Sequence, residues 1–176
     1  MKNSSQRLVR ASILLALCIA IQFIGRTFPV INQFFVGPII NAILLITAWY
    51  CGIWYGVAVG TLTPVMAFLV GQLPSPMMPF IPFIMIGNII FVVIFGLLMK
   101  KNVVGKCIGV ALGSVFKFAF LYMSALKLVP LFKIGFKAKV YDKLVFMMGF
   151  PQLITAIIGG VLAILIISLM KDRIDI

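Results

Sequence analysis

No histidine and no glutamate occur anywhere in the 176 residues, and the only acids are Asp142, Asp172 and Asp175. All three stand outside the long apolar runs. Proton relays inside membranes are built from Asp, Glu or His, and hydrolytic chemistry there needs an acid, a base or a metal site. Neither set is present, so the sequence points away from an enzyme and from a proton-coupled pump; backbone carbonyls remain as a route for sodium. No catalytic residue, cofactor or metal site is expected. Cysteine is scarce too. Cys18, Cys51 and Cys107 share no short spacing and lie in or beside apolar runs, which reads as small buried hydrophobes, neither disulfides nor metal ligands.

Charge of either sign is also thin. Only 10% of residues are charged and 64% are hydrophobic, whereas soluble domains carry about 25% charged residues. The chain is therefore an integral membrane protein. A net charge of +12 would suggest nucleic acid in a soluble protein. Here the cations mostly flank apolar runs, as the positive-inside rule and headgroup attraction require, so nucleic acid is not an expected partner and the lipid bilayer is.

A spanning helix needs about 20 mainly apolar residues. Six runs qualify within a single membrane domain, 1–176: approximately 8–25, 34–50, 53–70, 80–99, 105–128 and 150–170. The fold class is all-α with six transmembrane helices. The N-terminal segment imitates a signal peptide, with Lys2, Arg7 and Arg10 ahead of an apolar run. It lacks a small-x-small cleavage site and reads as an uncleaved first helix. Three cations precede that helix and Arg26 alone follows it, which places both termini in the cytoplasm. Between the runs, Thr27–Gln33 is a short loop with Pro29, Cys51-Gly52 makes a tight hairpin, and Pro74, Pro76 and Pro79 stiffen the link 71–79. Lys100 and Lys101 close the fourth run, and a polar tail with Asp172, Arg173 and Asp175 follows the last.

Against this background Lys117 stands out, alone in the middle of the almost wholly apolar stretch Cys107–Leu126. It lies about 16 Å beyond Lys106 at 1.5 Å per residue, close to the bilayer midplane. A lysine there costs roughly 2.5–3.5 kcal/mol on insertion scales, and its stem cannot snorkel out from that depth. It must face a bundle interior or a wet cavity. Helical spacing puts Gly113, Ser114, Phe120, Leu121 and Ser124 on its side. Asn88 lies mid-way along the fourth run, and Gln152 and Thr155 in the outer turn of the last. With Lys117, Phe120 and Ser124 they make a candidate substrate site: an apolar pocket with a few polar fixers. Polar residues at such depths also serve as interhelical glue, and a lysine can bond carbonyls merely to lock a bundle.

Two further features carry chemistry. Lys127–Lys143 interleaves five lysines and one aspartate with Leu131, Phe132, Ile134, Phe136, Val140 and Tyr141. It reads equally as an interfacial segment on anionic headgroups or as a cationic lid that draws in an anionic solute and covers it. Ser12, Ala16 and Ala20 recur every four residues on one face of the first helix and allow another helix to approach closely.

With those residues in view, the chain resembles a substrate-binding S component of an energy-coupling factor (ECF) vitamin transporter. The resemblance rests on short length, six helices, cytoplasmic ends, the Ala-x-x-x-Ala pair Ala16 and Ala20, the run Gly37-Pro38-Ile39-Ile40-Asn41 and the Pro151-Gln152 opening of the last helix. It implies a multi-pass protein of the bacterial cytoplasmic membrane that binds one micronutrient from outside. It implies docking through the face of Ser12, Ala16 and Ala20 onto a membrane coupling (T) subunit, with two ABC ATPases supplying the energy. The lysines favour an anionic substrate such as pantothenate or another carboxylate. A stand-alone secondary transporter or channel, and a structural membrane subunit, are the alternatives.

Overall fold

The computed structural model describes residues 2–27, 32–99, 103–132 and 134–171. Much of the predicted Thr27–Gln33 loop, including Pro29, lies outside these residues, as do Lys100, Lys101, Lys133 and the tail with Asp172, Arg173 and Asp175.

The protein is all-helical. The helices are α1 (Lys2–Thr27), α2 (Asn32–Tyr50), α3 (Ile53–Leu69), α4 (Ile81–Leu98), α5 (Val103–Met123), the single turn α6 (Val129–Leu131), α7 (Ala138–Met148) and α8 (Phe150–Lys171). Six of them, α1 to α5 and α8, are long. Among the described residues, five apolar stretches have the length to cross a membrane: Ser4–Thr27, Gln33–Tyr50, Ser75–Leu98, Val103–Leu131 and Ala138–Met170. Helix α3 is a shorter apolar helix of 17 residues, about 25 Å at 1.5 Å per residue.

Proline and glycine set the boundaries. Gly52 takes a φ of 113° and reverses the chain between α2 and α3, a conformation disfavoured for residues with a Cβ. Gly71, at φ 74°, ends α3, and the Arg26 guanidinium lies against it and donates to the Val70 carbonyl at 3.2 Å. The proline-rich link becomes the 3₁₀ helix Ser75–Phe80, which runs directly into α4. Beyond α5 the helix widens into a π stretch, Ser124–Leu128, closed by Val129 N–H on the Ser124 carbonyl. Pro130 supplies no N–H for the usual i−4 bond, so a local change of winding here has a covalent cause.

Five helices close a ring in the order α2, α3, α4, α5, α8, with α8 returning to α2, while α1 packs outside on α2 and α3. Close approach within the ring depends on small residues, as expected where lipid supplies no hydrophobic drive between helices. A Cβ at Gly159 would stand 2.5 Å from the Pro38 carbonyl oxygen and 2.6 Å from Asn41 Cβ, so α8 meets α2 backbone to backbone. The core falls into layers. Phe91, Phe95, Val110 and Ile167 fill one end of the ring, and Met77, Phe80, Leu121, Val129 and Leu144 fill the other under α7. Cys18 and Cys51 are buried as expected, but Cys107 is exposed on the outer face of α5. A thiol is apolar enough to sit among lipid-facing side chains.

Candidate binding site

Between those layers lies a cavity of about 410 Å³. Its walls come from the late part of α1 (Gln22), early α2 (Gln33 to Asn41), late α3 (Thr63 to Ala67), early α4 (Ile84, Asn88), α5 (Lys117), α7 (Lys143 to Met148) and early α8 (Gln152, Thr155). Because the long helices alternate in direction, all of these positions fall at the end of the bundle away from the start of α1 and the finish of α8.

Lys117 is 2% exposed, and its ammonium projects from α5 across the ring. Nζ donates to Asn41 Oδ1 at 2.7 Å and to Asn88 Oδ1 at 2.9 Å, and lies 5.2 Å from the centre of the Phe91 ring. The ring face adds a weak attraction for the cation. Asn88 is in turn held by α3: its Nδ2 donates to the Gly60 carbonyl at 2.8 Å. That carbonyl is free for a simple reason. Its usual partner four residues on is Pro64, inside α3, which has no N–H. The proline therefore exposes an acceptor, the acceptor orients an asparagine, and the asparagine presents its oxygen to the lysine. Gly60 has room for Asn88 because it lacks a Cβ; one there would lie 3.3 Å from Asn88 Cβ.

Apart from Lys143, the rest of the polar lining is neutral. Thr155, buried in the first turns of α8, donates to the Gln152 carbonyl at 3.0 Å and packs against Gly37 of α2. Gln33 Nε2 donates to the Met147 carbonyl at 2.8 Å, tying α2 to α7. Gln22 Nε2 donates to the Thr63 carbonyl at 3.1 Å, while its Oε1 is buried without a partner. No carboxylate lines the cavity among the described residues. The ammonium is solvated by two amide oxygens and is not neutralised by either. When protonated, Lys117 therefore presents a charge that no carboxylate among the described residues balances.

Four of the six residues singled out in the sequence, Asn88, Lys117, Gln152 and Thr155, line this cavity together. Phe120 and Ser124 lie elsewhere. Phe120 packs on the cluster around Met77 and Leu121, and Ser124 is buried with its hydroxyl on the Phe120 carbonyl at 2.7 Å. Both share the buried face of the α5 segment with Lys117, but they sit beyond the cavity, at the level filled by the apolar layer under α7. Asn41 and Gln22 carried no site role in the sequence reading. Asn41 sits in the quoted Gly37–Asn41 run, and an asparagine or glutamine inside an apolar helix is the signal that finds both.

The stretch Lys127–Lys143 is partly helical. Ile134, Phe136, Val140 and Tyr141 turn inward onto the apolar layer, while Lys137, Lys139 and Asp142 are exposed. Lys143 sits on the cavity wall with Phe146 and Met147. Of the three residues of the small face on α1, Ser12, Ala16 and Ala20, all are exposed, with the Ser12 hydroxyl turned back onto the Leu8 carbonyl at 3.0 Å.

Compared with known proteins, residues 7–170 match the family model of the ECF transporter substrate-specific component. No curated protein and no solved structure matches the chain.

Proposed function

Since the chain belongs to the ECF transporter substrate-specific components, a family of non-catalytic, multi-pass membrane transport subunits, we propose that it captures a small anionic micronutrient in the cavity around Lys117. On this reading both termini are cytoplasmic, the cavity opens to the outside of a bacterial cytoplasmic membrane, and α7 lies over it as a lid. The face of Ser12, Ala16 and Ala20 meets the membrane coupling subunit, and two ABC ATPases drive release.

One observation carries the choice of an anion: a fully buried ammonium in a cavity wall, held by two neutral oxygens and, among the described residues, with no acid beside it. A lysine serving only as interhelical glue has no need of a cavity at its tip. The same geometry makes a proton relay implausible on chemical grounds, because the groups that would pass a proton on are amides.

The test starts with what the protein holds. Native mass spectrometry of the purified chain looks for a co-purified small molecule, and a vitamin panel is screened by thermal shift. An acid is expected to bind, and Lys117→Met is expected to weaken it at least tenfold while helical content is retained. Undiminished affinity in that variant would sink the anion assignment.

A further inference from the structure

Three side chains in the cavity wall, Thr63, Thr155 and Gln22, point a donor at a protein carbonyl and keep acceptor capacity to spare. A threonine hydroxyl has one proton to give and two lone pairs to offer. Thr63 spends its proton on the Val59 carbonyl at 2.6 Å, and Thr155 spends its own on the Gln152 carbonyl at 3.0 Å. Both line the cavity with that proton already committed, and the Thr63 hydroxyl also meets the Cys18 thiol. Gln22 adds a third acceptor. Its NH₂ faces the Thr63 carbonyl at 3.1 Å, which fixes the amide, since the reversed group would set oxygen against oxygen. Oε1 is thereby left in the wall, buried and unpartnered. A buried acceptor without a donor costs about 1–3 kcal/mol, and Gln22 is only 2% exposed.

These acceptors share the cavity with two cations, the buried Lys117 and the more exposed Lys143 on its rim, and among the described residues with no acid. An ammonium on the ligand would find lone pairs but no counter-charge, and would face Lys117. A neutral donor meets no such penalty: a hydroxyl, an amide N–H or a ring N–H. Helix α3 sets the spacing. Asn88, which touches Lys117, is tied to Gly60, and Gln22 is tied to Thr63. Those two anchor points are one helical turn apart, about 5 Å along α3.

Building on the anion reading above, we infer that the ligand is a small acid that also carries neutral hydrogen-bond donors about one helical turn from its anionic group, with Gln22, Thr63 and Thr155 as the residues that select for them. A donor-free acid of the same length satisfies Lys117 and leaves the opposite wall unpaired. A site built to bond a hydroxyl or N–H discriminates strongly against the analogue lacking it.

Titration calorimetry on the full chain in detergent uses four probes. Pantothenate and gluconate are acids with donors, hexanoate is an acid without them, and panthenol has the donors without the acid. Pantothenate, gluconate or both should bind at least tenfold more tightly than hexanoate. Thr155→Val and Gln22→Met should each weaken the donor-bearing acids more than hexanoate and so shrink that ratio; the first is nearly isosteric and keeps the test valid if the second folds poorly. Hexanoate binding as tightly as both donor-bearing acids overturns the donor inference and leaves the anion reading standing, as does a ratio unmoved in both variants. Panthenol binding as tightly as pantothenate, or no acid binding at all, removes the anion reading and this inference with it.

Discussion

Asn41 and Lys117 face each other at 2.7 Å across α2 and α5, and the charge between them separates a binding lysine from a structural one. Asn41→Asp is nearly isosteric and puts a carboxylate on the ammonium. The pair would then neutralise internally, and the cavity would lose its field for an anion. We expect Asn41→Asp to retain or raise the melting temperature of the ligand-free protein and to lower affinity for an acidic ligand at least tenfold, read by thermal unfolding and calorimetry on the same sample. If the lysine only locked the bundle, the first effect would appear without the second. Lys117 was legible in the sequence because one charge in an apolar helix has a large and known cost. Its partner was not. Periodicity along α5 gives the direction of a side chain, and which atom of α2 it meets depends on how α2 and α8 pack. The same gap accounts for Phe120 and Ser124. They lie on the buried side with Lys117, but the cavity occupies one level of that side, and Met77, Phe80 and Val129 fill the next.

The packing of α8 on α2 is what holds Asn41 in place, and Gly159 is the contact that sets it. A Cβ there would meet backbone atoms at 2.5 Å and 3.1 Å, which cannot rotate aside as a side chain would. Gly159→Ala is therefore expected to destabilise by about 1–3 kcal/mol, the usual cost of overpacking, and to weaken ligand binding along with it. Gly135, where an added Cβ meets nothing within 4 Å, is the control: Gly135→Ala should leave both unchanged. Equal melting temperatures for the two variants would show that α2 and α8 have slack. At this scale the long helices were readable from their apolar runs, and the hairpin at Gly52 and the stiff link before α4 from glycine and proline. Helix α7 was not. Its lysines and aspartate look like a solvated loop in one dimension, and only docking of Val140, Leu144 and Met148 onto the α5 and 3₁₀ segments makes the helix worth forming. The π stretch before it had a visible cause in Pro130, although a proline alone does not say whether a helix will stop or widen.

For the molecule as a whole, α1 is a long helix outside the ring that serves two surfaces. Its inner side, through Ala11, Cys18 and Gln22, packs on α2 and α3 and reaches the cavity wall. Its other side leaves Ser12, Ala16 and Ala20 bare. In water a bare stripe of alanines means little. In a bilayer it means a flat place where another helix can come close, and lipid neither favours nor opposes a larger apolar side chain there. Filling the stripe should then separate docking from everything else. The double variant Ala16→Leu, Ala20→Leu is expected to keep the wild-type melting temperature and ligand affinity, because neither residue touches the core or the cavity. Assembly with the coupling module should be lost, seen as failure to co-purify with it and as loss of solute uptake in cells. Wild-type uptake by this variant would move the docking surface off α1. A fall in ligand affinity, by contrast, would mean that the two sides of α1 are mechanically joined, with the position of Gln22 sensitive to what covers Ala16 and Ala20.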